Sequence, residues 1–188
     1  MSLIIPKQVN NIKSKAFIQF TNMKARCSGV KSLQDKFKGN SLCQEWYDYY
    51  NWLNWANHQK GFLNEEDNGF VWAIDKDILK RGNKHYCPEL CVFVPNTINQ
   101  FFSLRLKEDR NSLLGAFKNT RCDTYHSRIN IGLKVPKYLG SFPTEMAAHE
   151  AYLDAKQEFG KELANKYNSS VDSRVIEVLS DFKRWYFS

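Results

Sequence analysis

Residues 138–167, YLGSFPTEMAAHEAYLDAKQEFGKELANKY, constrain the fold more than any other stretch. They read as a strand ending in a Leu139-Gly140 turn, a link through Pro143, an N-cap at Thr144, and then a long helix. Ala148, Ala151 and Ala155 recur at helical spacing with Tyr152, Phe159 and Leu163, so one stripe of the helix is smooth and apolar. A smooth stripe lets a helix lie close against a sheet.

The sheet is expected immediately upstream. Residues 115–142 hold two or three short strands with one-sided charge: Lys118, Arg121, Arg128, Lys134 and Lys137 stand against the single acid Asp123. If Ser127, Ile129 and Ile131 face the helix, strand alternation sends His126, Arg128 and Asn130 to the other face, beside Tyr138 of the next strand. The product is a small basic sheet face with an aromatic ring on it.

YLGSF followed by TEMAAHEAYLDAK resembles the plant APETALA-two/ethylene-response-factor DNA-binding domain, over about residues 114–164. The likeness is carried by Gly115 at the first strand, Ser127 and Ile129 in the second, and Leu139-Gly140-Ser141-Phe142 in the third. On the helix it is carried by Ala147, Ala148, Ala151, Tyr152 and Ala155. It implies a three-stranded antiparallel sheet backed by one helix, with the sheet laid in the major groove of double-stranded DNA. By the same match, Arg128, Asn130 and Tyr138 occupy strand positions that contact DNA, and Lys118, Arg121, His126, Lys134 and Lys137 complete the expected interface. Ser127 stands where that family has Ala, and the arginines and tryptophans of its sheets are thinned out, so no target sequence carries over.

At 188 residues, with 43% apolar and 14% aromatic content, the chain can bury a sizeable core as one medium domain or two small ones. No apolar run nears the length of a membrane span. The start, MSLIIPKQVNNIKSK, lacks the apolar region and cleavage site of a secretory signal, so a cytoplasmic protein with no membrane partner is expected. A formal net charge of +7 favours polyanion partners. Cys27, Cys43, Cys87, Cys91 and Cys122 are an odd number without an export signal, which favours free thiols. A structural zinc on Cys27, Cys43, Cys87 and Cys91 is the alternative, disfavoured because no C-x-x-C pair occurs and thiols commonly fill cores.

Upstream, Ala16, Phe20, Met23 and Cys27 fall on one face of a helix, and a second helix is expected from a Ser41 cap, carrying Leu42, Trp46, Tyr49 and Leu53 inward. Between them VKSLQDKFKGN reads as a basic loop. The rings Trp46, Tyr47, Tyr49, Tyr50, Trp52 and Trp55 exceed what one face buries; core packing is the favoured reading and base stacking the alternative. Residues 70–74 then read as a strand, followed by Asp75-Lys76-Asp77, a loop through His85, a second strand over 91–94, and a short helix opened by Pro95 that carries Asn99.

This strand, loop, strand, helix unit resembles the HNH, or His-Me finger, nuclease motif, in which a hairpin and helix clamp one divalent metal. The resemblance makes Asp75 and Asn99 ligands of Mg²⁺ or Mn²⁺ and Asn83 an orienting residue in the loop. An oxygen-rich site suits Mg²⁺, which stabilises charge building on a scissile phosphate. Where the motif places its general base stands Lys76, a poor base unless its pKa is strongly lowered. Asp77 and His85 are the candidate substitutes, imidazole titrating near neutrality. The bland alternative makes Asp75, Asp77 and His85 ordinary strand-end, turn and loop residues.

TNMKARC, CQEWYDYYNWLNWA, AIDKDILKRGNKHYCPELCVFVPNTIN and the Leu-Gly-x-Phe sheet follow one another over about residues 18–168. In that order they are similar to phage-encoded HNH-type homing endonucleases that carry an APETALA-two-like recognition module, with Cys87 where a serine-like residue is expected. After Asn168, Val175, Val178, Leu179, Phe182 and Trp185 lie on one stripe of a last helix expected to pack onto the recognition module. The expected class is α+β, with a helical and ββα-metal-like part over 1–110, a DNA-reading part over 111–188, and LKEDRNS at 106–112 as hinge. The expected function is a metal-dependent endonuclease that nicks double-stranded DNA; a further protein partner is left open. The alternative is a catalytically degenerate DNA-binding protein on the same scaffold, a phage regulator or an inhibitor of a host nuclease. Structured RNA is the third candidate partner.

Overall fold

A computed structural model describes residues 5–9, 12–28, 37–104, 112–130 and 136–188. Lys134, Ile131 and hinge residues 106–111 lie outside this set, as does much of the basic loop after the first helix. The class is α+β, and the chain divides into two units: Met1–Asn99 with Ser169–Val175, and Gln100–Asn168 with Ile176–Ser188.

In the first unit, a hairpin of β1 (Gln8–Val9) and β2 (Ile12–Lys13) precedes α1 (Lys15–Cys27). Ser14 caps α1, its hydroxyl accepting from Phe17 N at 3.2 Å, and Lys24 and Arg26 in the last turn suit the helix dipole. Ala16, Phe20 and Met23 are buried, as their spacing predicts, and Cys27 at the end of the same face is half-buried. Ser41, however, caps nothing. Ser41–Leu42 is β3, paired in parallel with β5 (His85–Tyr86), and the cap moves to Asp48, whose carboxylate accepts from Tyr50 N and Asn51 N at 2.8 and 3.0 Å. That begins α2 (Tyr49–Ala56). Trp46, Tyr49 and Trp52 sit at the centre of the core, while Tyr47 and Tyr50 are 55% and 49% exposed. Core packing therefore accounts for most of the ring excess.

β4 (Ala73–Asp75) runs antiparallel to β6 (Val92–Val94), with Asp75 opposite Val92. β4 starts later than the apolar pattern suggests, because Asn68 and Gly69 make a turn that leaves Phe70 72% exposed. α3 (Asn96–Phe102) follows, its first N–H held by Glu66 Oε1 at 2.7 Å.

The second unit holds β7 (Ala116–Lys118), β8 (Tyr125–Ile129) and β9 (Lys137–Phe142), an antiparallel sheet in the order β7-β8-β9, packed on α4 (Glu145–Tyr167). Thr144 caps α4, its Oγ1 accepting from Ala147 N at 3.1 Å. Ala116, Ser127 and Ile129 are buried in the sheet, and Ala148, Tyr152 and Leu153 are buried on the helix that packs against all three strands. Three contacts fix the entry to β7 on the helix. Glu145 Oε1 accepts from Leu113 N at 2.5 Å, His149 Nδ1 donates to Leu114 O at 2.7 Å, and Gly115 leaves no room for a side chain beside Tyr152.

Leu139-Gly140 does not end its strand. β9 continues to Phe142, with Gly140 opposite Ser127 next to a register shift at Ser127/Arg128. The tail is two helices, α5 (Ser173–Ser180) and α6 (Phe182–Tyr186), separated by Asp181, which leaves helical geometry at φ −131°, ψ 58° and caps α6. Of the expected stripe, Val175, Leu179, Phe182 and Trp185 are buried and Val178 is half-buried. No helix among the described residues is long and apolar enough to cross a membrane.

Candidate functional site

Two groups of expected site residues are brought together, each by its own local geometry. The first is the sheet face turned away from α4. Alternation along β8 buries Ser127 and Ile129 and leaves Arg128 and Asn130 exposed, with His126 half-buried beside them. Tyr138 of β9 lies directly opposite Arg128, is 58% exposed, and is hydrogen-bonded through its hydroxyl to His126 Nδ1 at 3.1 Å. Phe117 of β7 lies opposite His126, hence on the same face, and the Arg128 guanidinium carbon sits 4.2 Å from its ring centre. Phe117 escaped the sequence reading because it carries neither charge nor motif weight; alternation from buried Ala116 was the available signal.

Lys118 and Lys137 are exposed, but they alternate with Phe117 and Tyr138 and so leave the sheet on the other side, near its ends. Lys118 stands 3.7 Å from Asp123 in a fully solvated setting, which contributes little stability. Arg121 lies in the β7-β8 turn, where Asn119 Oδ1 accepts from its backbone N–H at 3.0 Å. His126, Arg128 and Tyr138 thus share the face turned away from α4, whereas Lys118 and Lys137 do not.

The second group is the turn after β4. Asp75 Oδ1 accepts from Asp77 N at 2.7 Å and Ile78 N at 2.9 Å, closing the turn on its own carboxylate. Burial, then the charge of Asp77, pushes the Asp75 carboxyl above its ordinary range. Lys76 points inward at 8% exposure, its ammonium paired with Asp77, donating to Asn83 O at 2.9 Å and lying 5.6 Å from the Tyr86 ring centre. Asn83 staples the loop: Nδ2 donates to Lys76 O and His85 O, both at 2.8 Å, and Oδ1 accepts from His85 N at 3.1 Å. His85 Nδ1 is hydrogen-bonded to Ser41 Oγ at 2.8 Å. Tyr86, buried beneath this loop, has its phenol pushed up to about 12 by burial. Asn99 lies on α3, half-buried.

The chemistry of this second group is that of a closed, internally satisfied turn with a fixed cation. Asp75 and Asn99 are the residues that would hold a divalent metal, but the donor set fits one poorly: one Asp75 oxygen already serves two N–H groups and the adjacent side chain is an ammonium. No three His, Cys, Asp or Glu side chains form a metal-holding group among the described residues. The five cysteines are free thiols, Cys122 exposed and Cys91 fully buried, with burial pushing the Cys91 thiol up. No protein-family model matches the chain, and neither the curated proteins nor the solved structures compared with it give a match.

Proposed function

We propose that this chain binds double-stranded DNA with sequence preference through the outward face of the β7-β8-β9 sheet. Its first unit keeps a nuclease-like strand, loop, strand, helix framework whose water-activating position is taken by Lys76. One observation carries the reading: Arg128, His126 and Tyr138 meet on one exposed face of a three-stranded sheet backed by a single helix, in a chain of net charge +7. The sequence resemblance of residues 114–164 to the APETALA-two-like module supports the same reading, with the arginines and tryptophans of that family's sheets thinned out here. The test is fluorescence anisotropy with a random-sequence duplex library at stepped salt. Binding that weakens as salt rises is expected, because phosphate contacts release counterions. On a duplex that the wild-type chain selects from that library, an Arg128→Ala, Tyr138→Ala variant is expected to bind on the order of tenfold or more weakly, from loss of base-edge contacts. Preference for folded RNA over duplex DNA, or equal binding by the double variant, would sink the reading.

Metal-dependent DNA cleavage is the second reading, favoured by the strand-end placement of Asp75 ahead of β6 and α3. Supercoiled plasmid incubated with Mg²⁺, with Mn²⁺ and with EDTA separates the two. Intact plasmid with retained binding is expected; nicking that needs metal and disappears in Asp75→Asn would make the chain a nuclease.

A further inference from the structure

Arg128 is not a loose surface arginine. It stands in the middle of β8 with Phe117 diagonal to it in β7 and Tyr138 opposite it in β9. The guanidinium lies 4.2 Å from the Phe117 ring centre, and the Tyr138 hydroxyl is held at 3.1 Å by His126 Nδ1. Arg128 makes no ion pair with the described residues; Asp123, the acid of this sheet, stands beside Lys118 at the hairpin end. A guanidinium held on a ring keeps its planar fork of donors at its edges, free for a planar acceptor pair. In the major groove the acceptor pair that matches such a fork is O6 and N7 of guanine.

Resting on the DNA-binding reading above, we propose that Phe117 is a positioning residue that presets Arg128 to read a guanine, so that the preferred site contains an obligatory G·C pair. Ring contact holds the side chain in its reading geometry before DNA arrives, and less ordering is left for the bound state. Leucine at 117 keeps an apolar side chain but removes the π-face. Lysine at 128 keeps the charge but removes the fork.

The experiment starts with selection of duplexes from a random-core library by the wild-type chain, followed by anisotropy on the selected duplex and on twins in which each G·C pair is changed to A·T. One such change is expected to weaken wild-type binding about tenfold or more, the usual penalty for losing a bidentate pair. Phe117→Leu should cut that discrimination about fivefold, the scale of an exposed cation-π contact, while its binding to the unselected library stays within about twofold of wild type. Phe117→Tyr should restore discrimination. Arg128→Lys should lose it, binding the selected duplex no more tightly than its A·T twin, and Phe117→Leu added to Arg128→Lys should change nothing further. A merely structural role for Phe117 would lower specific and unselected binding together, with a lowered melting temperature. That outcome, or wild-type discrimination in Phe117→Leu, overturns the proposal. Selection of no duplex at all by the wild-type chain overturns the DNA-binding reading and this inference with it.

Discussion

Lys156 stands mid-way along α4 at 5% exposure, its ammonium donating to Phe101 O and lying 3.9 Å and 5.5 Å from the ring centres of Phe101 and Phe182. A carbonyl and two ring faces replace only part of the lost water, and burial pulls its pKa from 10.5 down to about 7. The folded chain thus releases this proton at lower pH than the unfolded chain does. Stability contributed here rises with pH between about 7 and 10.5 and is flat below that window. Burial raises the phenols of Tyr86 and Tyr152, which lowers stability at the alkaline end, so the comparison with a variant is the clean measurement. Lys156→Met fills the same space without a charge. It is expected to raise stability at pH 7 by about 1–2 kcal/mol, with the gap to wild type closing by pH 9.5 in urea denaturation. A gap that does not depend on pH would mean that the lysine is not the titrating group.

At the level of elements, the sheet depends on how the chain enters it. Gly115 has φ +79°, and a Cβ there would stand 2.2 Å from Tyr152 Cγ. Gly115→Ala combines left-handed strain with overpacking and is expected to cost about 2–4 kcal/mol. Gly69→Ala is the control: at φ +78° it has the same strain but nothing within 4 Å, so about 1–2 kcal/mol is expected. Equal losses in chemical denaturation would show that Tyr152 yields. The two sites also mark what the sequence makes legible. β7, β8, β9 and α4 could be read because strand alternation and the Thr144 cap are local signals. The alanine stripe holds only in part, since Ala148, Tyr152 and Leu163 are buried while Ala151, Ala155 and Phe159 are half-buried and His149, Leu153 and Lys156 share the buried face. Ser41 and Asp48 could not be sorted so, since Ser41 is drawn into β3 by a parallel partner 44 residues away, His85. The same holds for the candidate site. Alternation places Arg128 and Tyr138, but only the register between strands brings Phe117 under Arg128. The inward turn of Lys76 depends on Asn83 O and Tyr86, neither of which its own neighbourhood announces.

For the whole molecule, the division into units does not follow chain order. A cut at the expected hinge would give residues 1–110, yet Ser169–Val175 belongs to the first unit. Within that unit Arg174 Nη1 donates to Glu89 O at 2.8 Å and its guanidinium pairs with Asp172 at 2.8 Å, while Val171 and Val175 are fully buried. Losing the burial of two valines costs about 3–6 kcal/mol, a large share of the 5–15 kcal/mol that holds a typical domain together. A fragment of residues 1–110 is therefore expected to melt well below the first unit of the intact chain, or not to fold cooperatively. In the intact chain, Arg174→Ala should weaken the same unit while leaving protection of α4 in the second unit unchanged. The pair also has a pH signature: hydrogen bonds from Arg174 hold the Asp172 carboxyl below its ordinary value. Its contribution is present above the unfolded carboxylate value near 3.8 and is lost as the pH falls through the lower folded value, a loss that Arg174→Ala should abolish. Hydrogen exchange on the intact chain and the variant, read separately over residues 85–99 and over α4, measures both effects. A 1–110 fragment as stable as the first unit in the intact chain would show that the returning segment is an ornament on a domain already complete.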